Sequence, residues 1–312
     1  MQNNNTKAMT QGAAMLALFT IFFMIAMYVP LISLIAFLIA PIPLAWYASK
    51  YSLKQAILLG ALALVLSFLF GGLIGPGLAI IFVVTGIILG DGIRQKKSKI
   101  YLFMTTGVGI LLTFAVLFIV SSKFMSMNFI AEGLELFKTS YKESMEYAAK
   151  QTGQSLPVEQ MNQMFDYIEM TLPASVTLGV FMLSFLMMSV TLTTFKRLKV
   201  DVPTFAPFKD MRLPKAVLWY YLIVLSINLF VNVEVGSMLY VITINMSVVL
   251  WVLLTIQGIS LFFYIIHAFK YPAFFKVLAV FMSIPLYSFV VLVGIVDLGF
   301  NVRQFIDEKS QK

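Results

Sequence analysis

The sequence predicts an all-α protein, a polytopic transmembrane helical bundle with about eight to ten crossings. Two uncharged stretches, residues 8–49 and 55–90, run for 42 and 36 residues. At about 1.5 Å of rise per residue, one helix of either length would far exceed a hydrocarbon layer of ~30 Å. Each stretch must therefore fold back and cross twice. The mean hydropathy of +0.93 and the charged fraction of 12% agree, because soluble domains carry about 25% charged residues.

Five later uncharged stretches are each long enough to cross once: residues 100–122, 170–195, 216–233, 235–266 and 277–296. A closed β-barrel, the other structure that can cross a bilayer, needs short strands in which apolar and polar residues alternate. The run 261–266, Leu-Phe-Phe-Tyr-Ile-Ile, shows no such alternation. Residues 1–312 are therefore predicted to form a single integral membrane domain with nine crossings if 235–266 crosses once.

Proline and glycine punctuate the first four crossings. Pro30 fits a tight turn, whereas Pro41 and Pro43 should kink or break the second helix, because proline removes a backbone donor. That break is either purely structural or a sign of a nearby cavity. The pair Gly86 and Gly90 has the spacing that lets membrane helices approach closely.

Basic residues fall in alternate connections, at 50–54, 94–99 and 196–215. Short connections rich in Lys and Arg stay on the cytoplasmic side, so the N-terminus is predicted to be cytoplasmic and 196–215 to be a basic cytoplasmic loop. The net charge of +8 is thus a signal of orientation and of contact with anionic lipid head groups. It does not indicate nucleic-acid binding.

Residues 123–170 are predicted to be an extracytoplasmic amphipathic helical insertion. Within 123–169 there are seven acidic and four basic residues. Apolar residues recur every three or four positions, which is typical of one helix face: Ile130, Leu134, Phe137, Tyr141, Met145 and Ala148. A second apolar stripe leads into the crossing that starts near Thr171: Val158, Met161, Met164 or Phe165, and Ile168. These two helices would lie on the outer head groups, cap the bundle or contact a partner.

The composition excludes several kinds of chemistry. The chain has no cysteine and one histidine, so thiolate sites and multi-histidine metal clusters are ruled out. Paired carboxylates, a Ser-His-Asp set and a phosphate-binding Gly-x-x-x-x-Gly-Lys loop are missing from the crossings. We therefore expect no enzyme activity, no cofactor and no metal, and any transport must draw its energy from a partner or be facilitated.

Polar side chains inside the crossings are the candidate functional residues, because an unpartnered polar group in lipid costs several kcal/mol. Asn228, Asn245 and Gln257 are the clearest cases, and their amides either bridge helices or contact a solute. Asp91 and Asp297 lie at helix ends, where they have a structural role. A contact between Asp297 and Arg303 would anchor the C-terminus.

Two family resemblances rest on short motifs. The N-terminal half resembles the substrate-binding S components of energy-coupling factor vitamin transporters, on the motifs Ala13-Ala14-x-x-Ala17, Pro41 with Pro43, and Gly90-Asp91-Gly92. Most of the chain is similar to the YybS family of bacterial multi-pass membrane proteins, distant relatives of the S components. The positions that carry this similarity are Leu213-Pro214-Lys215, Gln257-Gly258, and Asp297 with Phe300 and Arg303.

The resemblance to S components implies a substrate-capture subunit of the bacterial cell (inner) membrane. Such a subunit docks on a transmembrane coupling protein and its ATPases through small residues, here Ala13 and Ala17. We expect a small, largely apolar or aromatic-compatible solute. The alternative is a membrane scaffold or regulatory protein that recruits partners through the outer helices and the basic loop.

Overall fold

The computed structural model describes residues 2–124, 128–153, 158–204, 206–300 and 302–310. It is 85% helical, and the described ranges contain no β-strand, so the all-α prediction is confirmed. They form thirteen α-helices: α1 (Gln2–Tyr28), α2 (Ser33–Ile39), α3 (Ile42–Lys50), α4 (Leu53–Gly71), α5 (Gly75–Arg94), α6 (Lys99–Phe124), α7 (Phe129–Thr152), α8 (Val158–Arg197), α9 (Ala216–Phe230), α10 (Met238–Ala268), α11 (Phe274–Met282), α12 (Tyr287–Gly299) and α13 (Val302–Ser310).

Six segments of the described chain are long and apolar enough to cross a membrane, or seven if the bent pair α11 and α12 is one span. The sequence predicts eight to ten crossings, and two features explain the difference. Leu53–Arg94 is counted as one membrane-spanning segment of 42 residues, although a 3₁₀ turn at Gly72–Ile74 separates α4 from α5. Two predicted crossings are therefore counted as one. In addition, α9 has only 15 residues, about 22 Å of helix.

The described chain divides into two compact units. Unit 1 comprises Met1–Lys142 and Thr177–Thr204, and unit 2 comprises Glu143–Val176 and Phe205–Lys312.

In unit 1 both long uncharged stretches reverse direction. The hydroxyl of Tyr51, just after α3, donates to Gln11 near the start of α1 at 2.6 Å. In the second stretch, Gly75 of α5 lies so close to Ser67 of α4 that an added Cβ would be 2.0 Å from the Ser67 carbonyl oxygen. Each stretch therefore forms two neighbouring helical segments, as their lengths predict.

The predicted break at the prolines separates α2 from α3, with Pro41 as the residue before α3 and Pro43 in its first turn. On Gly86 and Gly90 an added Cβ would lie 2.8 Å from the Pro41 oxygen and 2.2 Å from the Ala45 oxygen. These two glycines thus bring α5 against α3. The buried core of unit 1 lies beside this contact and consists of Ala45, Leu89, Ile93, Leu102, Met188, Leu192 and Phe195.

Unit 2 is built around α10 and α12. Gly258 of α10 and Gly294 of α12 bring the two backbones together, because added Cβ atoms would lie 2.3 Å from the Val290 oxygen and 2.1 Å from the Leu254 oxygen. The core of unit 2 comprises Leu254, Val291 and Leu298, packed against Leu213, Val217, Leu218, Tyr221 and Ile295.

The region predicted as an outer insertion forms α7 and the first part of α8. No described residue of α7 is buried. The apolar stripe after residue 158 continues without interruption into the next crossing, so that Val158–Arg197 is one helix of 40 residues with Pro173 inside it. The sequence instead predicts a separate helix that leads into a crossing near residue 170.

Candidate functional site

A cavity of about 300 Å³ lies in unit 2 among α8, α9 and α10. Its volume is at the lower end of the range for small-molecule sites. Nine described residues line it: Tyr167, Asn228, Val231, Val233, Tyr240, Thr243, Ile244, Ser247 and Trp251. These lining residues carry aromatic rings, hydroxyls and one amide, and none of them is charged.

Besides the hydroxyls of Tyr167 and Tyr240 and the indole N–H of Trp251, the lining has two kinds of polar group. The hydroxyls of Thr243 and Ser247 donate to carbonyl oxygens of α10 itself, at 3.0 and 2.8 Å, so their remaining capacity toward the cavity is as acceptors. The Asn228 amide carries both donors and an acceptor, and it forms no hydrogen bond with any residue in the described ranges. The cavity can therefore accept from and donate to a bound molecule.

Asn228 is an unusual residue in its helix. It is exposed near the end of α9, whose sequence AVLWYYLIVLSINLF is otherwise almost wholly apolar. An amide that faces hydrocarbon without a hydrogen-bonding partner costs free energy. Because Asn228 lies on the cavity wall, a polar molecule in the cavity would supply the hydrogen-bond partner that lipid does not.

Asn245 lies on the same helix as five cavity residues, but its amide makes a different contact. Its Nδ2 donates to the Met170 oxygen at 2.7 Å and to the Val241 oxygen at 2.8 Å, and its Oδ1 accepts from the Ala174 backbone nitrogen at 2.9 Å. Met170 and Ala174 flank Pro173, which lacks an N–H group. The Asn245 amide thus joins α10 to the turn of α8 at the proline.

A second polar cluster in unit 2 is fully buried. Asp297 of α12 and Arg303 of α13 form a salt bridge of 2.7 Å, with side-chain exposures of 1% and 3%. Gln257 of α10 has 0% exposure. Its Nε2 donates to Asp297 at 2.5 Å, and its Oε1 accepts from the Leu213 backbone nitrogen at 2.8 Å.

The Arg303 guanidinium holds several elements of unit 2 together. Besides Asp297, it donates to the Lys209 oxygen at 2.6 Å, to the Met211 oxygen at 3.0 Å and to Ser260 Oγ at 3.2 Å. Ser260 in turn donates to the Met211 oxygen at 2.9 Å. Because donors and acceptors match throughout, this cluster is a structural clamp that joins α10, α12, α13 and the segment 206–215.

The remaining predicted site residues lie in unit 1. Ala13 and Ala17 are exposed on α1. Asp91 lies near the end of α5, where it forms a salt bridge with Arg94 and accepts from Gln95 Nε2 at 2.5 Å.

Sequence reasoning missed several of the residues that matter here. One is Ser260, and another is Tyr264, whose ring lies 5.1 Å from the Arg303 guanidinium. They are three and seven positions after Gln257 and therefore share its face of α10, which was a usable signal. The aromatic lining residues Tyr167, Tyr240 and Trp251 gave none, because aromatic residues are common in apolar helices and at membrane interfaces.

The helical segments, the apolar composition and the polar groups buried among helices define a multi-pass membrane protein. The chain belongs to the family described as "Predicted membrane protein (DUF2232)", whose model matches residues 17–298. It is 28% identical over 308 residues to "Uncharacterized protein YybS" of Bacillus subtilis (strain 168), with 96% of this chain and 98% of that protein covered. The predicted YybS-family membership is therefore confirmed. No solved structure matches the chain significantly.

Proposed function

We propose that this protein is a substrate-binding membrane subunit that holds a small, uncharged, aromatic-compatible solute in the cavity of unit 2. The cavity with Asn228 on its wall is the observation that carries the proposal. Its volume of about 300 Å³ suits a compound of one or two rings. In this proposal the protein binds the solute and does not convert it.

The lining determines the class of solute. Tyr167, Tyr240 and Trp251 provide ring faces, which favour a planar or aromatic solute. Asn228 then fixes its orientation by hydrogen bonds. A charged solute would enter this apolar region without an opposite charge on the wall, which costs several kcal/mol.

Transport requires a partner in this proposal, because the sequence has no nucleotide-binding motif. Ala13 and Ala17 support an S-component-like arrangement, because they are exposed on α1 and small residues allow a partner helix to approach closely. The partner is then the transmembrane subunit of an energy-coupling factor complex with its ATPases.

The protein lies in the bacterial cell (inner) membrane with its N-terminus in the cytoplasm, an orientation that the alternate basic connections support. Residues 231–237, which contain Glu234 and contribute Val231 and Val233 to the cavity, are then extracytoplasmic. The solute therefore enters from the outer side.

Thermal-shift measurements on the purified protein test the binding. The panel pairs uncharged compounds with charged counterparts of the same ring, such as nicotinamide with nicotinate and pyridoxine with pyridoxine phosphate. We expect saturable stabilisation by at least one uncharged compound and at least a tenfold weaker effect of its charged counterpart.

Asn228→Leu should abolish that stabilisation and leave the melting temperature of the free protein unchanged. Ser226→Ala is the matched control on α9, because the Ser226 hydroxyl donates to its own helix at Leu222. A panel without any saturable ligand, or binding that survives Asn228→Leu, contradicts the proposal.

The scaffold role is the second candidate, and α7 favours it. No described residue of this helix is buried, and Leu136 and Tyr147 are 69% and 67% exposed. Purification in mild detergent separates the two functions. Coupling-factor ATPases in the eluate support transport, whereas envelope or signalling proteins without them support a scaffold.

A further inference from the structure

The uncharged stretch 277–296 does not form one straight helix. α11 ends at Met282, α12 begins at Tyr287, and the two axes are bent by 111°. At about 1.5 Å per residue these helices are about 13 and 20 Å long, and with that bend their outer ends are only about 20 Å apart. The pair is therefore too short to cross a hydrocarbon layer of ~30 Å.

Contacts with α10 give the direction of α12. The Tyr287 ring, at the start of α12, lies 6.5 Å from the Trp251 ring. Ten residues later, Asp297 accepts a hydrogen bond from Gln257. Residue numbers thus rise together along both helices, so α12 runs in the same direction as α10 and ends beside the C-terminal part of α10.

The same contacts give the depth of the bend. Trp251 lies near the middle of α10, which has 31 residues and spans Met238–Ala268. The chain leaves α10 at Ala268, begins α11 at Phe274 and reaches the level of Trp251 at Tyr287. From there α12 returns toward the end at which α10 finishes.

We propose that residues 269–300 form a re-entrant hairpin, which enters and leaves the membrane on one side. α13 then lies on the same side as residues 206–215, which contact Ser260 near the C-terminal end of α10. Residues 231–237 lie on the opposite side, because they precede the N-terminal end of this helix of 31 residues, which is long enough to cross. The Arg303 contacts with the Lys209 and Met211 oxygens join these two segments directly.

The charges of unit 2 agree with this topology. Lys270 and Lys276 border the entry of the hairpin, and Lys309 follows its exit. A hairpin that returns places all three on the side of the basic segment 206–215, as the distribution of Lys and Arg in membrane proteins requires. A stretch that crossed would carry Lys309 and the Arg303 clamp to the other side.

The surroundings of the tip also fit a re-entrant hairpin. Backbone polar groups at membrane depth need hydrogen-bond partners, because lipid supplies none. At the tip, Ser283 is buried with 7% exposure, whereas Ile284 and Leu286 expose apolar side chains. The backbone nitrogens of Ser283, Ile284 and Leu286 donate to the Ala279, Phe281 and Met282 oxygens at 3.1, 3.4 and 3.1 Å, and Pro285 has no donor. Trp251, the ring next to Tyr287, is itself a wall of the cavity. The tip therefore adjoins the proposed solute site. The re-entrant topology itself rests on the contacts of α12 and α13 and does not depend on a bound solute.

Single cysteines test the topology, since the chain has none of its own. Lys309→Cys, Lys215→Cys and Glu234→Cys replace exposed residues and are labelled with a membrane-impermeant maleimide in intact cells and in inverted vesicles. We expect Lys309→Cys and Lys215→Cys to label in the same preparation and Glu234→Cys in the other. Labelling of Lys309→Cys together with Glu234→Cys overturns the proposal.

A reporter fused after Lys312 provides a second measurement on the full chain, should a cysteine variant fail to fold. The reporters are green fluorescent protein, which matures in the cytoplasm, and alkaline phosphatase, which is active outside it. We expect activity from the reporter that works on the side where Lys215→Cys is labelled. Activity of the other reporter overturns the proposal. Neither measurement involves a ligand, so failure of solute binding leaves this test unaffected.

Discussion

Removal of the Arg303 guanidinium is the most informative perturbation of the buried clamp. In Arg303→Met, Asp297 stays buried with a side-chain exposure of 1% and keeps the hydrogen bond from Gln257. Breaking a buried ion pair by removing one partner costs about 3–5 kcal/mol, because an uncompensated charge is left behind. At about 2–4 °C per kcal/mol, the melting temperature should fall by roughly 10 °C.

The double variant Asp297→Leu with Arg303→Met separates the effect of charge from that of packing. It removes both charges, and apolar replacement of a whole buried pair is often nearly neutral. We expect the double variant to recover at least half of the melting temperature that Arg303→Met loses. The assay is thermal unfolding of the detergent-solubilised protein, followed by size-exclusion chromatography.

Arg94→Met is the matched control. Its partner is Asp91, and the side chains of this pair are 37% and 14% exposed, so the loss should be about 0–1 kcal/mol. Two results would refute the reasoning. One is a loss in Arg303→Met no larger than that in Arg94→Met, and the other is a double variant no more stable than Arg303→Met.

Two further predictions concern packing and the buried amide. Gly258→Ala should lower the melting temperature by several degrees, because the new Cβ would lie 2.3 Å from the Val290 oxygen. The control is Gly133→Ala in α7, where no atom lies within 4 Å of the new Cβ. It should raise stability by up to about 1 kcal/mol, because alanine has a higher helix propensity than glycine. Equal effects of the two would contradict the close approach of α10 and α12. Asn245→Leu should cost about 1–3 kcal/mol through lost hydrogen bonds, whereas Asn228→Leu should cost nothing measurable, and the same unfolding assay compares them.

Features fixed by length and composition could be predicted from the sequence. The reversals in residues 8–49 and 55–90 follow from geometry alone, since no membrane accommodates one helix of that length. The break before α3 follows equally from Pro41 and Pro43, whose missing donors act locally.

The roles of the three amides could not be predicted, because each depends on distant parts of the chain. Asn245 contacts Met170 and Ala174, more than 70 residues away in sequence. Gln257 contacts Leu213 and Asp297, 44 and 40 residues away. Hydropathy identifies such residues as unusual but does not say which ones meet a neighbouring helix.

The stretch 277–296 illustrates a different limit. Its 20 uncharged residues satisfy the criterion for a crossing, and the sequence therefore predicts one. Pro285 was the available signal against a straight helix, since proline disfavours the helical conformation of the residue before it. The direction of α12 after the break depends on contacts with α10, which hydropathy does not contain.

Fluorescence of Trp251 tests solute binding in unit 2 most directly. The chain has three tryptophans, and Trp46→Phe with Trp219→Phe leaves Trp251 in the cavity wall as the single reporter. We predict that at least one uncharged aromatic compound changes this fluorescence saturably and that Asn228→Leu removes the change. No saturable change across the panel, or a change that Asn228→Leu leaves intact, would contradict a solute site in this cavity.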